Sequence, residues 1–201
     1  MFFFLKFMRC TNYIKIVLVI FFAFTLIRVS FGEEKENKYP FKDFIITDIV
    51  RIENGINHID LDGDGYNDMI ISGHRHNINA HVFQVYTTYI YSPLKFEGKT
   101  FKWQIVAIDE KERGETYMIT TNEGADCVLR DIRLAKLKDD NKYYLIIAER
   151  LPTKTYVDRE FVMFKFYKLS RDELENRYIY EKMFEKRSNK KYCDVNEAFS
   201  E

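Results

Sequence analysis

The stretch HIDLDGDGYNDMII, residues 58–71, sets four aspartates and two glycines within nine positions, between apolar runs. Counted from Asp60, carboxylates fall at places 1, 3, 5 and 9, as Asp60, Asp62, Asp64 and Asp68. Gly65 at place 6 permits a sharp turn, and Tyr66 can offer its backbone carbonyl at place 7. This is the oxygen-rich spacing of a calcium loop, cut short because Ile71 stands where a glutamate would close it. Two carboxylates about 5 Å apart repel by roughly 3 kcal/mol at an effective dielectric of 20. A divalent cation turns that repulsion into coordination, and an all-oxygen donor set favours calcium. The expected site is Asp60, Asp62, Asp64, Tyr66 and Asp68, acting as a structural clip. The competing reading is a solvated Asp-Gly turn with no ion.

Outward from the loop, short segments rich in β-branched and aromatic residues dominate: DFIITDIVRI, INHIDL, MIIS, AHVFQVYTTYIY, TFKWQIVAID, CVLRDIRLAKL, YYLIIAE and FVMFKFYKL. In TFKWQIVAID, alternation puts Phe101, Trp103, Ile105 and Ala107 on one face. Asn54-Gly55 is a hairpin signal between DFIITDIVRI and INHIDL. Ser170 and Glu173 match a capping box, which predicts one helical turn between two strands. Asp194 can cap a short helix over DVNEAF, with Glu197 at its third position. The acidic loop occurs once, so no internal repeat supports a propeller. The predicted fold is mainly β: a single domain of antiparallel sheet with the DxDxDG metal loop and a short C-terminal helix.

The first residues read differently. Lys6, Arg9 and Lys15 precede the apolar run Ile16–Ile27, and Ser30 and Gly32 are small residues ahead of Glu33. That order predicts a secretory signal peptide over residues 1–32. Twelve apolar residues are short for a membrane span of about 20, although an uncleaved anchor is the alternative. Residues 33–42 form a polar, flexible lead-in, and residues 43–201 the β-rich domain. Export implies a periplasmic location, with no stable membrane insertion after cleavage. Residues 1–32 carry four basic and no acidic residues, so the remainder has 27 basic against 31 acidic, a net charge of −4. A nucleic-acid partner, which would demand a basic excess, is not expected.

Cys10 falls within the leader, leaving Cys127 and Cys193. Two cysteines in an exported chain point to one disulfide, with two separate buried thiols as the alternative. Catalytic signals are sparse. His74, His76 and His81 could hold zinc in a metal-dependent hydrolase, but HRHNINAH also reads as a polar loop. Ser92-Pro93-Leu94-Lys95 matches S-x-x-K, yet no helical pattern, S-D-N or K-T-G follows. The abundant tyrosines and phenylalanines, with Trp103, read mostly as core and cross-strand packing, or as the lining of a ligand cleft.

FIITDIVRIENGINHIDLDGDGYNDMIISGHRHNINAHVFQVYTTYIY, then GADCVLRDIRL, then KKYCDVNEAF, resembles the CarG/CpmH-like intrinsic carbapenem-resistance proteins of enteric bacteria. The likeness spans most of residues 43–199. It implies an exported, mainly β protein, not an enzyme, that protects against carbapenems by binding or target shielding without hydrolysing the drug. The partners it implies are a carbapenem or a penicillin-binding protein. A structural module of the cell envelope is the remaining alternative.

Overall fold

In a computed structural model of the chain, residues 45–76, 82–110, 114–123, 127–138 and 140–200 are described. The expected signal peptide, the lead-in and His81 lie outside them, as does the side chain of His76. Strands β1 (Ile46–Val50), β2 (Gly55–Ile59), β3 (Asp68–His76), β4 (Val82–Phe96) and β5 (Lys99–Glu110) come first. The short strands β6 (Gly114–Thr116), β7 (Ile119–Thr120) and β8 (Asn122–Glu123) follow. Then come β9 (Val128–Leu137), β10 (Tyr143–Arg150), β11 (Glu160–Asp172), β12 (Arg177–Tyr192) and the helix α1 (Val195–Ala198). The mainly β expectation holds.

The main path runs β1-β9-β10-β11-β12-β5-β4-β3-β2, antiparallel except where β12 meets β5. β5 divides its length: Lys99–Ile105 pair with β4, while Val106–Ile108 run parallel to Tyr178–Tyr180 of β12. The sheet curls around one core in which Ile70, Ile90, Val106, Ile132, Leu134, Leu145, Ile147 and Tyr180 are buried. β10 is buried on both faces, which is why YYLIIA is a continuous apolar run rather than an alternating one. Its second face, with Ile146, Phe164, Phe166 and Phe184, is covered by Val195 and Ala198 of α1.

The predicted C-terminal helix forms as read. Asp194 caps it, accepting from the Asn196 N–H at 2.8 Å. Arg133 fastens it: its guanidinium donates to Asn196 Oδ1 and lies 4.8 Å from the Phe199 ring centre. Cys127 and Cys193 are joined as a disulfide, with Cα atoms 5.5 Å apart.

Two local expectations fail. Asn54-Gly55 does not turn a hairpin, because β1 pairs with the distant β9 and β2 with β3. Asn57 ties that corner instead, accepting from Glu53 N at 2.9 Å and donating to Glu53 O at 2.8 Å. Ser170 caps no helical turn. It sits in β11, and its hydroxyl donates to Glu181 at 2.8 Å. The β11–β12 turn is built by Asp172, whose Oδ1 accepts from Leu174 N and Glu175 N.

Candidate functional site

The acidic loop occupies residues 60–67 between β2 and β3. Its fold is written by its own carboxylates. Asp60 Oδ1 accepts from Gly63 N at 2.8 Å and Asp64 N at 3.1 Å, and its Oδ2 from Gly65 N at 3.0 Å. Asp62 accepts from Asp64 N at 3.2 Å, and Asp64 from Tyr66 N at 2.8 Å. Successive backbone N–H groups thus curl around side chains, which requires positive φ at Gly63 (76°) and Gly65 (89°). Asp68, only 1% exposed, reaches further. Its Oδ2 accepts from Leu61 N at 2.9 Å and its Oδ1 from Tyr91 N of β4 at 2.8 Å.

Carboxylate oxygens of Asp60, Asp62 and Asp68 lie within 4.8 Å of one another, the convergent group among the described residues. The electrostatics register that crowding. Burial pushes the Asp68 carboxyl up to about 6, overriding the two N–H groups that favour its charge. Burial also raises Asp62, with help from Asp64 and Asp60 and against the N–H of Asp64. Asp64 faces Tyr66 N and stands outside the convergent group. The ring of Tyr66 is exposed and packs 5.6 Å from that of Tyr91.

The loop also reaches the other end of the strand path. Leu61 O accepts from Tyr143 N of β10 at 3.0 Å, and a Cβ placed on Gly63 would lie 3.2 Å from that of Asn141. An open cleft of about 670 Å³ runs between this loop and Lys136, Asn141 and Tyr143. The site therefore fastens β4, the loop and β10 together.

Beside it lies a feature the alternation only half revealed. Phe101, Trp103 and Ile105 do share a face, but it is the outer one, at 49%, 38% and 39% exposed. Cross-strand pairing extends that face through Tyr91 and Tyr89 to Met69 and Ile71 and then to exposed Ile56. Tyr91 stands 5.2 Å from Trp103, edge to face. An aromatic surface this broad is more than core packing explains.

The catalytic alternatives fare differently. Ser92 and Lys95 lie in β4 across an irregularity in its pairing with β5. An extended strand spreads residues three apart over about 10 Å, whereas S-x-x-K chemistry draws them together on one helical turn. His74 sits exposed on β3, away from the convergent carboxylates. Sequence reading missed Arg150, a buried guanidinium that lines a second cavity. Its signal was an arginine two residues beyond the apolar run YYLIIA, at the end of the strand.

Comparison with known proteins adds three findings. The family model described as "Carbapenem resistance protein CarG-like" matches residues 52–201. The solved structure described as "Crystal structure of CarG" is similar at 21% identity and a TM-score of 0.62, over 77% of this chain and 94% of that one. That likeness concerns the fold. No curated protein matches the chain.

Proposed function

The chain belongs to the CarG-like family of carbapenem resistance proteins, and from that premise we propose that it is an exported, non-catalytic binding protein conferring tolerance of carbapenem β-lactams. The family match over residues 52–201 carries the reading. Export is supported by the basic and apolar start of the sequence and by the Cys127–Cys193 bridge, which suits an oxidising compartment. Action by contact is supported by the exposed aromatic face of β4 and β5.

Calcium belongs to the same proposal. Asp60, Asp62 and Asp68 would hold it, and the donor set fits because every converging atom is a carboxylate oxygen. The ion supplies charge neutralisation and nothing chemical. Asp68 and Leu61 do the mechanical part, holding β4 and β10 to the loop through the Tyr91 and Tyr143 N–H groups.

Expression in a susceptible, non-producing strain tests the reading. Carbapenem tolerance should rise while the drug in the medium stays intact, and calorimetry on the purified protein should detect either the drug or a penicillin-binding protein as ligand. Absence of protection together with absence of both kinds of binding would reject it. Catalytic loss of the drug's ring absorbance after adding zinc would instead establish a hydrolase.

A further inference from the structure

Beyond β10 the chain leaves the sheet through residues 151–156 and encloses a cavity of about 340 Å³. We propose that this cavity binds a small ligand carrying one carboxylate on an apolar ring body. Arg150 lines it and is only 7% exposed. Its Nη1 donates to Cys193 O at 3.1 Å, and its Nη2 to Thr153 Oγ1 at 3.3 Å and Thr155 O at 3.4 Å. These acceptors, and Cys193 Sγ at 3.9 Å from Nη1, are all neutral. The two acids nearby are already engaged: Asp158 accepts from Thr155 N at 2.9 Å, and Glu160 pairs with Lys191 at 2.9 Å. Among the described residues, no carboxylate forms an ion pair with Arg150.

A buried cation without a paired carboxylate is costly, and an entering anion offsets that cost. Burial in fact lowers the Arg150 pKa from its ordinary value, against the pull of Asp158 and Glu160. None of these Arg150 bonds uses the Nε–H, and that charged donor suits a carboxylate oxygen. Exposed Lys154 adds a second cation at the rim, while Leu129, Leu151 and Tyr156 supply apolar wall. The volume lies at the small end of ligand sites, which run from about 300 to 1,000 Å³. The site is also held in place beforehand, because the carbonyl that fixes Arg150 belongs to cross-linked Cys193. A carbapenem, a compact fused bicycle bearing one carboxylate, fits this description. That identification of the ligand rests on the drug-binding reading, whereas the carboxylate site does not.

The test separates the two. Benzoate is titrated into the isotope-labelled, purified chain while the arginine Nε–H resonances are followed by NMR. The Arg150 resonance should move saturably, Lys154→Gln should weaken benzoate about threefold, and Arg150→Lys about tenfold. No movement of that resonance, or benzoate affinity unchanged in both variants, overturns the site. Lys154 is exposed, so its variant remains informative should Arg150→Lys fold poorly. Meropenem and its carboxylate methyl ester are titrated in parallel. Binding of meropenem but not the ester, with the same resonance moving, supports site and drug together. Benzoate binding without meropenem binding keeps the site and rejects the drug as its ligand. Meropenem binding that leaves Arg150 unmoved overturns the assignment of the drug to this cavity and leaves drug binding standing.

Discussion

Replacing both Cys127 and Cys193 by serine should cost this domain about 4 kcal/mol. The bridge joins residues 66 apart in sequence, and closing a loop of that length removes roughly that much conformational entropy from the unfolded chain. For a domain of this size each kcal/mol moves the melting temperature by about 2–4 °C, so a fall of about 8–16 °C is expected. Local consequences add to the loss. Cys193 presents the carbonyl that holds Arg150 and precedes Asp194, the cap of α1. Urea titration of parent and double variant reads the effect. The midpoint should fall while the slope rises, because an unlinked chain exposes more surface on unfolding. Reducing the parent should reproduce the loss, and reducing the variant should change nothing. A difference below about 1 kcal/mol with an unchanged slope would refute the reasoning, since the loop length alone demands more.

Other outcomes follow from the loop and its surroundings. At about 1 mM calcium and an affinity of about 10⁻⁴ M, binding should stabilise the fold by about 1.4 kcal/mol; melting curves with and without chelator read this, and Asp62→Ala should abolish the response. Gly63→Ala should destabilise more than Gly65→Ala, by about 1–3 kcal/mol against about 1, because both adopt positive φ but only Gly63 abuts Asn141; denaturant midpoints of the two variants decide the order. The pH dependence should include Asp140. Burial works against its charge, but donation from the Tyr144 hydroxyl and Lys142 N, with the positive charge of Lys142 and Lys168, holds its carboxyl below the ordinary range. A depressed carboxyl contributes stability above its unfolded pKa and loses it as pH falls through the folded value. Asp140→Asn should therefore flatten the decline of the urea midpoint between about pH 5 and pH 2.

What was legible in the sequence depended on how locally each feature is determined. The acidic loop was readable because its turns are made by its own side chains, as Asp60 bonding to Gly63, Asp64 and Gly65 illustrates. The Asp194 cap was readable for the same reason. Asn54-Gly55 misled because turn propensity says nothing about a competing partner, and β9 claims β1 from across the chain. Ser170 misled because its hydroxyl found Glu181 on the neighbouring strand. Alternation put Trp103 on a face with Phe101 and Ile105, yet could not say which face looked outward. That depends on β5 leaving β4 after Ile105 to enter the core beside β12. Arg150 escaped notice because its role is set by residues 153–155 and 193, distant in pattern though close in space.

The passage of β5 from one neighbour to the other has a kinetic consequence. Its contact with β12 joins residues 106–108 to 178–180, and nearly the whole domain must exist before it can form. Pairings so remote in sequence make for slow folding. The emerging chain can build early hairpins, such as β2 with β3 and β3 with β4, but the curled sheet closes only when the penultimate element arrives. Until then the half-built protein exposes open strand edges and apolar surface, the condition in which chaperones are most needed.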